Sequence, residues 1–299
     1  MFRSVGVQVV TYQNEPRQLL RLAEGLAATI AGARAAGVEE VSVEFGDCAE
    51  EPTIESLRES LVAELGAVAD HVGTVVFNAN LGSGGGSNAL AARRSDDVIW
   101  VVNPDTYPSP QCATELLATL SEAGVGGVDG RQMPIEHPKH HDPVTGDTSW
   151  GSGSCFMFRR EAFDAVGGFD DHFFPMYCDD VDISWRLRLA GWKVRHAPRA
   201  AIFHDKRITI DGAVALSEFE ITSGTLARLW MTRRYGRPDI EAETLSGIDA
   251  GGGAAHRAAA AEFRRRVGEG DVPDVIADAE RVAEFVDGEY AVHRFRYVT

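Results

Sequence analysis

Apolar and polar positions in the first hundred residues alternate between two periods. Val5-Gly6-Val7-Gln8-Val9-Val10 is a β-branched run ending in the polar stretch Thr11-Tyr12-Gln13-Asn14, as a strand does where it leaves a sheet. Leu19, Leu22, Leu26 and Ile30 then recur at helical spacing; Asn14 is placed to cap that helix, Pro16 suits its first turn and Gly37 stops it. Val41 to Phe45 alternates as a second strand, Thr53 to Leu65 reads as a helix ending at Gly66, and Thr74 to Phe77 is a third strand. Asn88 to Arg94 predicts a short helix and Val98 to Val102 a fourth strand. Such alternation predicts right-handed βαβ units, hence an α/β fold with a mostly parallel sheet flanked by helices. Ligands of these sheets sit outside the carboxyl ends of the strands, so chemistry is sought just after Val10, Phe45, Phe77 and Val102.

The rest of the chain is less regular. Residues 130–150 hold His137, His140 and His141 with Pro134, Pro138 and Pro143, which predicts a long loop with solvated histidines. Ser154 to Phe158 reads as a buried strand, Arg160 to Val166 as a short helix closed by Gly167-Gly168, and Asp180 to Ala190 as a helix stopped by Gly191. From about residue 210 the pattern is helical, with Gly251-Gly252-Gly253 as a connector. Three segments follow: 1–110, 111–209 and a C-terminal helical extension, 210–299.

Charge narrows the function. With 29 Lys and Arg against 45 Asp and Glu, the chain carries −16 at neutral pH, which argues against nucleic acid as a partner. A phosphate-ester substrate would need local neutralisation, for which a divalent cation is the natural agent. No run approaches the roughly 18 apolar residues of a membrane span. Cys48, Cys112, Cys155 and Cys178 lie far apart without a C-x-x-C pair, the pattern of reduced thiols in a cytoplasmic protein.

Four groups of residues can carry chemistry. Asn80-Leu81-Gly82-Ser83-Gly84-Gly85-Gly86-Ser87-Asn88 lies between a strand and a helix, where glycines let backbone amides approach a phosphate or sugar. As a dinucleotide fingerprint it fails, because Ser87 takes the third glycine position and the segment follows the third strand. Asn103-Pro104-Asp105 puts a carboxylate at the end of the fourth strand, where it can hold a hard cation or simply make a turn. Asp179, Asp180 and Asp182 open a helix. Asp182 has Arg186 four residues on, suited to a surface ion pair, whereas Asp179 and Asp180 crowd like charges and so raise the proton affinity of one of them, as a general base requires. His204 ends the apolar run Ala200-Ala201-Ile202-Phe203.

In order along the chain, these residues resemble the family 2 glycosyltransferases of the GT-A fold, especially their bacterial rhamnosyltransferase-like branch. The resemblance spans residues 5–205, two-thirds of the chain. It includes Val10-Thr11-Tyr12, the glycine-rich segment, Asn103-Pro104-Asp105-Thr106, Gly153 to Phe163, Val166 to Asp170, Asp179-Asp180-Val181-Asp182 and His204. It implies transfer of a sugar, with inversion, from a nucleoside diphosphate donor such as dTDP-rhamnose or a UDP-sugar to a hydroxyl of a glycan or glycoconjugate acceptor. By the resemblance Asp105 and His204 ligate Mg²⁺ or Mn²⁺, and Asp180 is the base with Asp179 its tuning neighbour. Thr11, Tyr12, Asp47, Asn80, Gly82, Asn88, Asn103 and Asp105 bind the donor. The family's usual Asp-Asn-x-Ser run is here Gly46-Asp47-Cys48-Ala49-Glu50, and its Glu-Asp pair is Asp179-Asp180. The two competing classes are a nucleotidyltransferase on a related sheet and a non-catalytic glycan-binding protein on a retired transferase fold. The C-terminal helices are the candidate surface for a homodimer or for peripheral contact with a membrane.

Overall fold

The computed structural model describes residues 2–137, 139–206 and 216–286. Its first half is built as the periodicity predicts. β1 (Ser4–Thr11), β2 (Glu40–Asp47), β3 (His71–Val76) and β4 (Val98–Val102) are joined through α1 (Pro16–Ala35), α2 (Ile54–Leu65) and α3 (Gly82–Ala91), and all four strands pair in parallel. α1 starts one residue later than Asn14 would cap it. Glu15 is its N-cap, its amide bonded by Gln18 at 3.2 Å, while the Asn14 side chain accepts from the Tyr12 amide at 3.0 Å and shapes the turn before the helix.

Beyond β4 the sheet becomes mixed, with strand order β3-β2-β1-β4-β7-β6-β8-β5. The added strands are β5 (Thr106–Pro108), β6 (Val125–Met133), β7 (Cys155–Arg159) and β8 (Lys193–His204). β7 runs antiparallel between β4 and β6 because no crossover helix separates it from β6, only the loop through Trp150. β8 lies parallel to β6 after α5 (Arg160–Ala165) and α6 (Asp179–Leu189), and β5 pairs antiparallel with its end. β5 and β6 carry little periodic signal, β6 reading Val-Gly-Gly-Val-Asp-Gly-Arg-Gln-Met with six of its nine residues glycine or polar, whereas α4 (Cys112–Leu120) buries Cys112, Ala113, Leu116, Leu117 and Leu120 at helical spacing.

Among the described residues there are three cores, two of them on the faces of this sheet. α1, α2 and α4 bury Leu19, Leu26, Leu61 and Leu116 against one face, with Val7, Val43 and Trp100. Ile99, Phe156 and Phe158 pack on the other face beneath Phe163, Phe169 and Ile183. The third core joins α6 to α7 (Glu218–Arg234) and α9 (Ala254–Gly268) through Trp185, Trp230 and Phe263, with α8 (Pro238–Gly251) alongside. The glycine connector is the short link between α8 and α9. No helix among the described residues is long and apolar enough to cross a membrane.

Candidate functional site

Asp105 and His204 are 99 residues apart in sequence, and strand pairing brings them together. Thr106 opposes His204 in the β5–β8 register, and the Asp205 amide donates to the Asp105 carbonyl at 2.9 Å. The His204 Nε2 lies 3.3 Å from Asp105 Oδ2, and its Nδ1 lies 2.7 Å from Gln132 Oε1. Burial pushes the Asp105 carboxyl up, but His204 and Lys206 outweigh it and hold the group below its ordinary value. A carboxylate oxygen and an imidazole nitrogen suit Mg²⁺ or Mn²⁺. Among the described residues no group of three or more His, Cys, Asp or Glu is arranged to hold a metal. The pair therefore fits an ion whose remaining ligands come from a diphosphate and water, not one caged by protein.

The acidic pair opens α6. Tyr177 and Cys178 both adopt left-handed backbone (φ 65° and 58°), a tight entry that turns Asp179 and Asp180 into the helix start. Asp180 is buried; its Oδ2 accepts from the Gly153 amide and its Oδ1 from the Val181 amide, each at 2.9 Å. Asp179 accepts from the Ser83 hydroxyl at 2.8 Å, and its carboxyl is pushed up to about 7 by burial and by the charge of Asp180. Asp182 is not in a surface ion pair as its spacing with Arg186 suggests. It is fully buried, 2.7 Å from Arg186 Nε, 3.2 Å from Arg234 Nε and 3.0 Å from the Tyr235 hydroxyl, because α7 covers that face of α6.

The loop 151–154 connects the two halves of the site. The Ser154 carbonyl accepts from the Asn103 amide at 3.0 Å, and Gly153 reaches Asp180. Ser152 Oγ accepts from Gln132 Nε2 at 2.9 Å, and the Ser152 amide donates to Asp129 Oδ2 at 2.8 Å. An unbroken run of contacts thus leads from Asp105 through His204, Gln132 and Ser152 to Gly153 and Asp180. Asp129, wholly buried, is anchored by Lys139 and by His196 Nδ1 at 3.0 Å; burial raises its carboxyl, and these two partners outweigh that and hold it low. Asp129 and Gln132 escape sequence reading, because each is a polar residue in a glycine-rich strand with no motif around it. The expectation of solvated loop histidines fails for His137, which is buried 5.6 Å from the Trp150 ring; exposed His141 stacks 4.9 Å from His196.

The donor-side candidates gather at the carboxyl ends of β1, β2 and β3. Thr11 and Asp47 are register partners. Thr11 is buried, and Tyr12 is 46% exposed. Both oxygens of Asp47 are taken by backbone: Oδ1 accepts from Ala49 and Oδ2 from Thr53 and Ile54, at 3.0, 2.9 and 3.2 Å, so this carboxylate frames the loop into α2. Asn80 Oδ1 accepts from the Gly82 amide at 3.1 Å. The glycines are not a loop, as expected, but the first turns of α3. A Cβ on Gly86 would lie 2.6 Å from Val10 Cγ1, and one on Gly82 (φ +69°) would lie 2.1 Å from the Pro175 carbonyl oxygen, so α3 packs where side chains would keep it away. Asn88 does not face out as a donor cover either. Its amide brackets the Phe169 backbone, donating to the carbonyl at 2.8 Å and accepting from the amide at 2.9 Å.

A family model described as "Glycosyl transferase family group 2" matches residues 138–218, the segment from the loop histidines through α6 to His204 and beyond. A Mycobacterium tuberculosis N-acetylglucosaminyl-diphospho-decaprenol L-rhamnosyltransferase is 46% identical over 65 residues, 22% of this chain and 21% of that protein. The O-antigen chain rhamnosyltransferase WbaN of Salmonella anatum is 25% identical over 163 residues, 45% of this chain and 50% of the relative. The matches thus span between a fifth and a half of these curated relatives. Among solved structures, the mannosyltransferase PcManGT from Pyrobaculum calidifontis, in complex with GDP-Man and Mn²⁺, superposes with a TM-score of 0.57 at 14% identity, over 93% of this chain and 77% of that one. That likeness is one of fold.

Proposed function

We infer that this chain is a family 2 glycosyltransferase of the rhamnosyltransferase-like branch on a GT-A fold, and that it moves a sugar from a nucleoside diphosphate donor to a hydroxyl of a glycan or glycoconjugate acceptor, with inversion. The observation that carries this reading is the meeting of Asp105 with His204 at 3.3 Å, joined by hydrogen bonds through Gln132 and the 151–154 loop to Asp180. One end offers two ligands for a divalent ion at a diphosphate, and the other a carboxylate pair for an acceptor hydroxyl.

In this reading Asp180 takes the proton of the acceptor hydroxyl as its oxygen attacks the anomeric carbon, and the nucleoside diphosphate leaves from the opposite face. The Gly153 and Val181 amides hold the Asp180 carboxylate in one orientation, so little reorganisation is needed when the proton arrives. Asp179, held by Ser83 and with its proton affinity raised by burial and by Asp180, sits beside the base as its tuning neighbour. Bound Mg²⁺ or Mn²⁺ would be held by Asp105 and His204 and would supply Lewis-acid stabilisation of the departing diphosphate. Thr11, Tyr12, Asp47, Asn80, Gly82 and Asn103 would frame the nucleotide, and Asn88 would contribute by holding the Phe169 turn against α3. A dTDP-rhamnose or UDP-sugar donor, and an acceptor carried at a membrane surface, accord with the similarity to rhamnosyltransferases.

The deciding experiment is thermal unfolding with dTDP, UDP and GDP, each with and without Mn²⁺, followed by a transfer assay with the matching sugar nucleotide. A nucleotide at about 100 times its dissociation constant adds roughly 2.7 kcal/mol of stability. A Mn²⁺-dependent shift with one nucleotide is the expected result. Shifts with none, together with no turnover of any sugar nucleotide, would overturn the reading.

A further inference from the structure

Gln132 lies in β6, is 1% exposed and has no direct place in the transfer described above. A buried carboxamide is costly unless both its ends are bonded. Here both are. Oε1 faces His204 Nδ1 at 2.7 Å and Nε2 faces Ser152 Oγ at 2.9 Å, while the Gln132 amide donates to Glu136 Oε2 at 2.8 Å and locks the backbone. Ser152 is held in turn by buried Asp129 and hydrogen-bonds to Ser154 Oγ at 3.1 Å.

We propose that Gln132 is a positioning residue that fixes the His204 imidazole by accepting from its Nδ1–H, so that Nε2 is directed to the Asp105 side. The inference rests on the reading of His204 as a ligand. Its grounds are three contacts. At 2.7 Å the Nδ1 contact is the short one, and a carboxamide oxygen can only accept there, so Nδ1 carries the hydrogen. The opposite amide orientation would place Nε2 against Nδ1 and require the proton on Nε2, aimed at Asp105. That contact, at 3.3 Å, is long for a charge-assisted bond, which closes to about 2.7–2.9 Å. Third, Ser152 Oγ can accept from the Gln132 side-chain amide while giving its own hydrogen to Ser154 Oγ, so both roles of that hydroxyl are used. Partners of a ligating histidine's second nitrogen set its tautomer and orientation in this way. Through Ser152 the same side chain ties the diphosphate end to the loop that orients Asp180.

The test reads the proton directly. Metal-free protein with ¹⁵N-labelled histidine is examined by long-range ¹H–¹⁵N correlation at about pH 8, where an ordinary imidazole is neutral; His204 is assigned by the signal lost in His204→Asn. The expected result is an Nδ1–H signature for His204 in the native protein. Gln132→Leu should move it towards Nε2–H and weaken Mn²⁺-dependent nucleotide binding by about 10–100-fold. Gln132→Glu keeps an acceptor for Nδ1–H and should retain the native signature while losing the donor to Ser152. An Nε2–H signature in the native protein, or one unchanged in Gln132→Leu, overturns the inference; if that variant does not fold, the native spectrum and Gln132→Glu decide. Failure of Mn²⁺-dependent nucleotide binding in the native protein would overturn the ligand reading alone, since the tautomer is measured without metal.

Discussion

At the residue scale, the acidic pair makes two separate predictions. Asp180→Asn keeps an acceptor for one of the two backbone amides, Gly153 or Val181, but removes the base, and should lower transfer by about 10²–10⁴-fold while the nucleotide still binds. Wild-type turnover in that variant would remove Asp180 from the mechanism. Asp179 is predicted through its titration. Its folded value, about 7, lies above that of an unfolded carboxylate, so the folded state binds the proton more tightly. The stability this gives is complete below the unfolded value near 4 and is lost as pH rises through about 7. Asp179→Asn, which keeps an acceptor for Ser83 and carries no charge, should therefore gain in Tm over the native protein as pH rises from about 4 to about 7, then level off. A difference independent of pH would show that Asp179 is not the strained carboxylate.

At the scale of elements, α3 tests whether its glycines are there for approach or for flexibility. Alanine is the better helix former by about 1 kcal/mol, so Gly86→Ala should stabilise an unconstrained helix. Here the new methyl meets the stiff Val10 side chain at 2.6 Å, and overpacking of this kind costs about 1–3 kcal/mol. The expected outcome is a lower urea midpoint at unchanged slope, partly restored by Val10→Ala in the same chain. A stabilised Gly86→Ala would refute the packing argument. Since β1 ends at Thr11, a displaced α3 should also loosen nucleotide binding.

At the scale of the molecule, the C-terminal helices share a core with α6, and buried charge fastens the join. Arg234 meets both Asp170 and Asp182, and Tyr235 closes on Asp182. Removing one partner of such a buried group leaves the other uncompensated, so Asp182→Asn should cost about 3–5 kcal/mol by chemical denaturation. Ending the chain at residue 206 would expose Trp185 and Phe174, and the product should fail to melt cooperatively, whereas the full chain should melt in one transition. Two separate transitions in the full chain would instead make residues 216–286 an independent unit.

Local pattern alone was enough for the βαβ half. β-branched runs and helical spacing need only near neighbours to be read, and β4 was expected over the residues it occupies. Motif order was also enough to single out Asp105, His204, Asp179 and Asp180 as candidates, and the fold brings Asp105 against His204. What tertiary structure decided is whatever depends on groups far apart in sequence. The mixed half of the sheet follows from β7 returning without a crossover helix, and Asp47 and Asn88 serve backbone amides that only folding brings near. Asp182 changed from a surface to a buried charge because α7, fifty residues on, lies over it. Gln132 and Asp129 gave no readable signal, since a lone polar residue in a glycine-rich strand acquires meaning only through partners such as His204, 72 residues away, and His196, 67 away. Periodicity reports which face of an element is buried; it carries no record of which buried polar groups will meet.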